Sequence, residues 1–294
     1  MRLPTTLLER KKIQRVIFSI QPQPPSDRTQ ILSLMKEAYE TGAWCFDLPS
    51  AGHVESFKEL RNLALDEMLI GLCHLEVETG ASFLGKPLHH FESKVVSTIK
   101  KDLLPSHLPR NILPPSSYSE VFTQKEIDRI AFDSLRFGKA LSHFDPKESP
   151  FLLVGETYGD WLLALGRIDL LHEMVSRVRE KGFLPIFSAQ WATFALPKAK
   201  SLNVSAYAVP INKKWSLFDL QQASHLIKKF EKPVISLNPL ADGTLMKEPE
   251  GAFSFLFDEL KVWATIAKVG SEAEVARIVE ALKTFPSLIP PRKP

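Results

Sequence analysis

Eight short, almost wholly apolar runs recur along this chain, each followed by a stretch with helical or turn character. They are Arg15 to Ile20 (RVIFSI), Ala43 to Asp47 (AWCFD), Met68 to His74 (MLIGLCH) and Pro150 to Gly155 (PFLLVG) in the first half. Phe183 to Ser188, Val204 to Ile211, Pro233 to Asn238 (PVISLN) and Val262 to Val269 (VWATIAKV) follow in the second. A strand that is apolar on both faces must be covered on both faces, which is the condition of a parallel sheet flanked by helices. The intervening segments supply those helices. Ile31, Leu34, Met35, Ala38 and Tyr39 recur at helical spacing, and Gly42 suits the left-handed position beyond their end. Helices are also expected over Val54 to Leu65, Thr123 to Leu141, Ile168 to Val178 (closed by Gly182) and Phe194 to Ser201. Three more are expected over Asp219 to Lys229, Glu250 to Leu260 and Glu272 to Lys283. Such alternation predicts an α/β protein, a closed (β/α)8 TIM barrel. The other arrangement, an open doubly wound sheet, calls for a glycine-rich phosphate loop after the first strand, where this chain has QPQPP.

The 294 residues would suit one barrel or two average domains. Prolines number 22 against 13 glycines, and they cluster at 22–25, 105–115 and 286–294. On the strand count none of these clusters is a domain linker. The first falls in the first βα loop. The second stiffens an enlarged third βα connection, 75–115, for which one helix is expected near Phe91 to Leu104. The third is a C-terminal tail, 286–294. The expectation is one domain over 1–294.

Several classes are disfavoured. The net charge of +3 is mild, and basic residues form only short clusters such as Arg10-Lys11-Lys12, so no nucleic-acid partner is expected. No apolar run approaches the ~18 residues of a membrane span. Charges in the first dozen residues follow a short apolar run rather than precede a long one, unlike a secretory signal. Cys45 and Cys73 make no disulfide framework and no metal knuckle. They lie inside apolar strands, as inert core residues do, and a reduced, cytoplasmic setting is the default.

In a barrel of this kind chemistry gathers where strands end and helices begin. The polar residues expected there are Asp47, His74, Glu156, Gln190, Asn212 and Asn238. Asp47, His74 and Glu156 are the candidate catalytic group, since a histidine beside carboxylates titrates in a useful range. Each has a plainer reading: Asp47 as a turn residue, His74 as a structural histidine, Glu156 as a solvated rim charge. The same three could ligate a divalent metal, although no metal is assigned. His89 and His90 are adjacent, so their side chains diverge and read as surface or lid residues. Gly270-Ser271 opens the last helix, where free N–H groups could receive an anion. The same residues with Glu274 also spell an ordinary capping box. Trp161, Trp191 and Trp215 each follow a strand end and could stack on a planar ligand or close the barrel as apolar lids.

The order of these segments resembles the aldo-keto reductase superfamily of barrels. SDRTQILSLMKEAYETGAWCFDLPSAGHVESFKELRNL is similar to that family's first helix, second strand and following helix. TQKEIDRIAFDSLRFGKAL resembles its helix with a Ser-Leu-x-basic-x-Leu pattern, here beginning Ser134-Leu135-Arg136. LLHEMVSRVREKGFLPIFSAQW, VSAYAVPIN, KPVISLNPLADGTL and KVGSEAEVARIVEAL are similar to later strands and turns. The resemblance implies that Asn212, Asn238, Leu240, Gly270 and Ser271 border an NADP site. It implies a catalytic Asp, Tyr, Lys and His, of which Asp47 matches the first. The tyrosine position falls at Gly52 or His53, the lysine at His74 and the histidine at Gly155 or Glu156. The basic residues that would grip the NADP 2′-phosphate stand as Glu272 and Glu274. The cofactor is therefore left open.

Two functions are expected from this reading. One is an enzyme with a remodelled centre at the C-terminal mouth, acting on a small polar molecule through Asp47, His74 and Glu156. The other is an inactive barrel that serves as a binding or assembly protein. Oligomeric state is left open.

Overall fold

The structure, a computed structural model, describes residues 3–22, 27–75, 80–100, 120–216 and 219–288. Eight parallel strands close into a barrel: β1 (Val16–Ile20), β2 (Cys45–Leu48), β3 (Ile70–Leu75), β4 (Phe151–Gly155), β5 (Leu184–Ser188), β6 (Ala206–Pro210), β7 (Val234–Leu237) and β8 (Ala264–Val269). Each pairs with its sequence neighbours, and β8 returns to β1 through Ile266 opposite Ile17 and Ala267 opposite Phe18. The helices of the outer layer are α1 (Arg28–Glu40), α2 (Ala51–Ala64), α3 (Ser134–Leu141), α4 (Ile168–Glu180), α5 (Ala192–Ala199), α6 (Leu220–Lys229), α7 (Pro249–Ser254) and α8 (Glu272–Leu282). This is the expected α/β class and the expected closed barrel.

Strand side chains alternate between two separate cores. Ile17, Cys45, Leu72, Leu153, Ile186, Ala208, Ile235 and Ile266 pack together inside the barrel. Their neighbours Phe18, Phe46, Cys73, Leu152, Phe187 and Tyr207 face outward against the helices. Both sets are apolar, which is why the strands stood out in the sequence and their alternation did not. Continuing the inward row by two residues leads from Cys45 to Asp47, from Leu72 to His74 and from Leu153 to Gly155. The fold therefore aims Asp47 and His74 into the C-terminal mouth.

Three features differ from the sequence expectations. The first lies ahead of β1, where Thr5–Leu8 and Lys11–Gln14 form an antiparallel hairpin. Its Leu8 and Ile13 join the interior core, so the hairpin closes the end of the barrel opposite the mouth. Second, the single helix expected over Thr123 to Leu141 is two helices. Gln124–Ile127 carries the expected capping box of Thr123 and Glu126. Ala131–Phe132 then pairs with Ala81–Phe83, and Asp133 caps α3 by accepting from the Arg136 N–H at 3.0 Å. Ladder and cap bonds formed with tertiary partners override a helical periodicity that a local window would extend. Third, a helix at Glu156–Ala164 starts directly on the end of β4, where only a strand terminus was expected.

Within the enlarged third connection, Ala81–Phe83 also pairs with Lys86–Pro87, and a helix runs over Glu92–Thr98 of the expected 91–104. The prolines of 105–115, Pro24, Pro25 and the tail from 289 onward lie outside the described residues. Among the described residues no helix is long and apolar enough to cross a membrane.

Candidate active site

Three strand ends meet at the mouth. Ser19 pairs with Asp47 between β1 and β2, and His74 pairs with Leu153 between β3 and β4. The His74 ring stands between two carboxylates. Its Nε2 lies 2.6 Å from Asp47 Oδ1, and its Nδ1 lies 2.8 Å from Glu156 Oε1. The structure thus brings together the three residues that the sequence picked out at strand ends. Their environments differ. The Asp47 side chain keeps 5% of its exposure, His74 21% and Glu156 50%. Burial alone would depress the His74 pKa. The charge of Asp47, its hydrogen bond, and the hydrogen bond and charge of Glu156 outweigh that and push it up to about 10. His74 is then an imidazolium at neutral pH, donating both N–H groups. Among the described residues no group of three or more His, Cys, Asp or Glu side chains is arranged to hold a metal ion.

Glu156 is held by unusual backbone. Gly155 has φ 129 and Glu156 φ 51, two consecutive residues in conformations that L side chains rarely adopt. A Cβ on Gly155 would lie 2.2 Å from the Ser188 carbonyl oxygen. That close approach of β4 to β5 turns the chain sharply, so that Glu156 leans back over His74. Conserving such strain requires the surrounding packing to hold it, and strain of this kind clusters at functional sites.

These residues line a mouth cavity of about 380 Å³, with Gln190, Trp215 and Lys268 on its other walls. Trp215 is 43% exposed there. Trp161 and Trp191 do not line the cavity: Trp161 is buried edge-on to Tyr158, and Trp191 stacks on Phe194. His53, at the position where the resemblance implies a tyrosine, is buried and bridges Ser50 Oγ and the Ile20 carbonyl. It pins α2 to the end of β1. Cys45 and Cys73 are buried thiols, and burial raises both, Cys73 to about 11.

Asp160 escaped the sequence reading. It lies one helical turn beyond Glu156, and its Oδ2 accepts from the Gln190 N–H at 2.6 Å. That bond holds the loop after β5 beside the mouth. Its Oδ1 and the nearby Ser188 Oγ are buried without a partner among the described residues. Burial pushes the Asp160 pKa up to about 7, against the hydrogen bonds from Gln190 and Trp191. A carboxyl raised in the folded state stabilises below its unfolded pKa, near 3.8, and that stability is lost as pH rises through 7. Asp160→Asn should therefore gain on the parent by on the order of 3 kcal/mol between pH 4 and pH 7. Urea unfolding at pH 4, 5.5 and 7 reads the difference. Parallel stability curves for the two proteins would refute the assignment.

The residues implied to border an NADP site are placed as follows. Asn212 is buried, and its side chain is spent on the backbone: Nδ2 donates to the Asn238 carbonyl, and Oδ1 accepts from the N–H groups of Lys214 and Trp215. Asn238, at φ 55, accepts from the Asp242 N–H. Asn238, Leu240 and Gly270 line a cavity of about 290 Å³ with Lys268 and Glu274. Ser271 caps α8 by accepting from the Glu274 N–H. In return Glu274 Oε2 accepts from the Gly270 N–H at 2.6 Å. Only half of the expected capping box is formed, because the return bond goes to Gly270, one residue ahead of the Ser271 cap, and a carboxylate of the chain itself occupies the anion-receiving end of α8. Glu272 adds a second negative charge in the same turn. These residues do not fit an NADP phosphate, since carboxylates there repel it and consume its donors.

No protein-family model matches the chain, and no curated protein matches it in sequence. Solved structures do match in shape. The aldo-keto reductase AKR11C1 from Bacillus halodurans, in its holo form, superposes with a TM-score of 0.56 at 14% identity. The match covers 98% of this chain and 92% of that one. A thermostable aldo-keto reductase, Tm1743, in complex with the inhibitor epalrestat, gives a TM-score of 0.51 at 12% identity. There the match covers 95% of this chain and 93% of the other. The chain has an aldo-keto reductase-like (β/α)8 fold. At such identities the likeness speaks for architecture and leaves the chemistry to the residues themselves.

Proposed function

We propose that the barrel mouth is an acid–base centre that moves a proton on a small polar molecule, with Glu156 as the group that meets the substrate. The observation that carries this reading is the hydrogen-bonded array Asp47–His74–Glu156. Its innermost member is buried and its outermost is half exposed to the mouth cavity. Asp47 fixes the imidazolium, and the imidazolium fixes Glu156 through Oε1, leaving Oε2 for a ligand. When Glu156 takes a proton from the substrate, the buried Asp47–His74 pair remains neutral overall, so the step changes the charge only at the exposed end. Asp47 and His74 are positioning residues in this scheme. The acidic turn at Glu272 and Glu274 supports a reaction other than NADP-dependent reduction. We read the chain as one barrel domain, and its two free, buried cysteines favour a reducing, cytoplasmic setting.

The test is deuterium exchange. Small hydroxy- and amino-carbonyl compounds are incubated with the protein in D2O, and exchange at their acidic C–H positions is followed by NMR. Glu156→Gln should slow exchange about 100-fold or more, the usual worth of a positioned acid or base. Exchange that is unaffected by this change would sink the proposal. So would saturable quenching of tryptophan fluorescence by micromolar NADPH together with reductase turnover. Ligand binding without any exchange would favour the inactive binding barrel.

A further inference from the structure

The mouth cavity has a neighbour of a different character. A second cavity of about 370 Å³ lies between the barrel and the helix layer, beside the first turns of α2 and the end of α3. Its walls are mainly apolar: Leu48, Ala51, Val54, Leu75, Ala140 and Phe144. Strand alternation explains the contrast. Leu48 follows the inward-facing Asp47, and Leu75 follows the inward-facing His74, so both leucines face the helices. His74 and Pro49 line both cavities. The imidazole therefore stands on the rim where a polar chamber meets an apolar one.

We propose that the two chambers together bind a primary amine carrying an alkyl or aryl group, its ammonium against Glu156 and its apolar part in the crevice beside α2. This rests on the reading of Glu156 as the substrate-facing group. Charge selects the amine over an acid. Asp47, Glu156 and Asp242 line the mouth against His74 and Lys268, which leaves one carboxylate in excess. At the crevice Glu55 is paired with Arg28, and His143 lines the same wall, so the excess negative charge lies at the mouth. The adjoining position where an anion could have been received, the start of α8, is taken by Glu274. The ammonium would be a donor to Glu156 Oε2, a charge-assisted hydrogen bond in a partly desolvated site. On the far side of His74 stand Leu75 and Phe144, against which an apolar chain would leave water.

Isothermal titration of the purified protein with methylamine, n-butylamine, n-hexylamine and hexanoate tests the proposal. Affinity should rise about three- to fourfold per methylene from methyl to hexyl, the factor expected for burying each group. Hexanoate should bind at least tenfold more weakly than hexylamine. Val54→Trp, which places an indole in the crevice, should flatten the chain-length series with little change in methylamine binding. Should that variant fail to fold, Ala51→Trp at the exposed first residue of α2 fills the same space. A series already flat in the parent protein, or one that the tryptophan leaves intact, overturns the crevice. Hexanoate binding as tightly as hexylamine overturns the charge assignment. The titrations read binding alone. Absent deuterium exchange beside an intact amine series would defeat the acid–base reading and leave the ligand class standing.

Discussion

Gly155→Ala should leave this protein largely unfolded or destabilised by about 3–5 kcal/mol, the upper range for a single substitution. The backbone there has φ 129, and the added methyl group would sit 2.2 Å from the Ser188 carbonyl oxygen and 3.0 Å from the Phe187 ring. Neither neighbour can give way. The carbonyl belongs to β5, whose Ser188 pairs with Gly155 in the barrel ladder, and Phe187 is buried in the outer core. The clash must be relieved by moving β4 from β5 or by straightening the turn that carries Glu156. Either change lowers the urea midpoint, and a folded remnant would show Glu156 withdrawn from His74. Gly138→Ala is the control. Gly138 lies within α3 with open space around it, so alanine there should be neutral or stabilise by up to about 1 kcal/mol. Equal midpoints for parent and Gly155→Ala would show that the turn is not built as described.

Removing the His74 ring should be nearly as costly. His74→Ala leaves the Asp47 carboxylate, with a side chain only 5% exposed, without its partner. Stranding one member of a buried pair costs about 3–5 kcal/mol, whereas replacing both members together costs much less. The double variant Asp47→Ala/His74→Ala should therefore be more stable than His74→Ala alone. Additive losses would mean that the pair does not interact as the 2.6 Å contact implies. The parent protein carries a pH signature of the same array. The His74 pKa is raised from 6.5 to about 10, so its contribution is fully present below pH 6.5 and is lost as pH rises through 10. Unfolding curves of the parent should weaken across that alkaline window. Those of His74→Ala should lack this component, and the gap between the two proteins should close as pH approaches 10.

The strands and the polar residues that gather at their mouth ends were legible in the sequence for one reason each. Both faces of every strand are apolar, so each strand reads as a run, and each run ends where polar residues can tolerate the mouth. Asp47 and His74 stand at such ends, and Glu156 follows one. The N-terminal hairpin was missed because Thr5–Leu8 is short and the strand it pairs with, Lys11–Gln14, is equally short. The break at Asp133 was missed because Ala131 and Phe132 earn no strand signal until Ala81–Phe83 lies beside them. Asp160 looked like any helix carboxylate, since nothing local says that Gln190 and the end of β5 will cover it.

The sequence by itself determined the class of fold, the barrel closure and the side of the barrel on which polar groups collect. These follow from the period and polarity of short segments, which are local properties. Charge state and ligand access were decided by the tertiary structure. His74 is an imidazolium because residues 27 and 82 positions away place carboxylates on both of its nitrogens. The start of α8 is closed because Glu274 folds back onto Gly270 instead of pointing into water. The crevice beside α2 exists because β3, α2 and the loop after α3 bring Leu75, Val54 and Phe144 around one space. Electrostatic energy and cavity volume depend on distances between residues remote in the chain, and only the folded chain sets those distances.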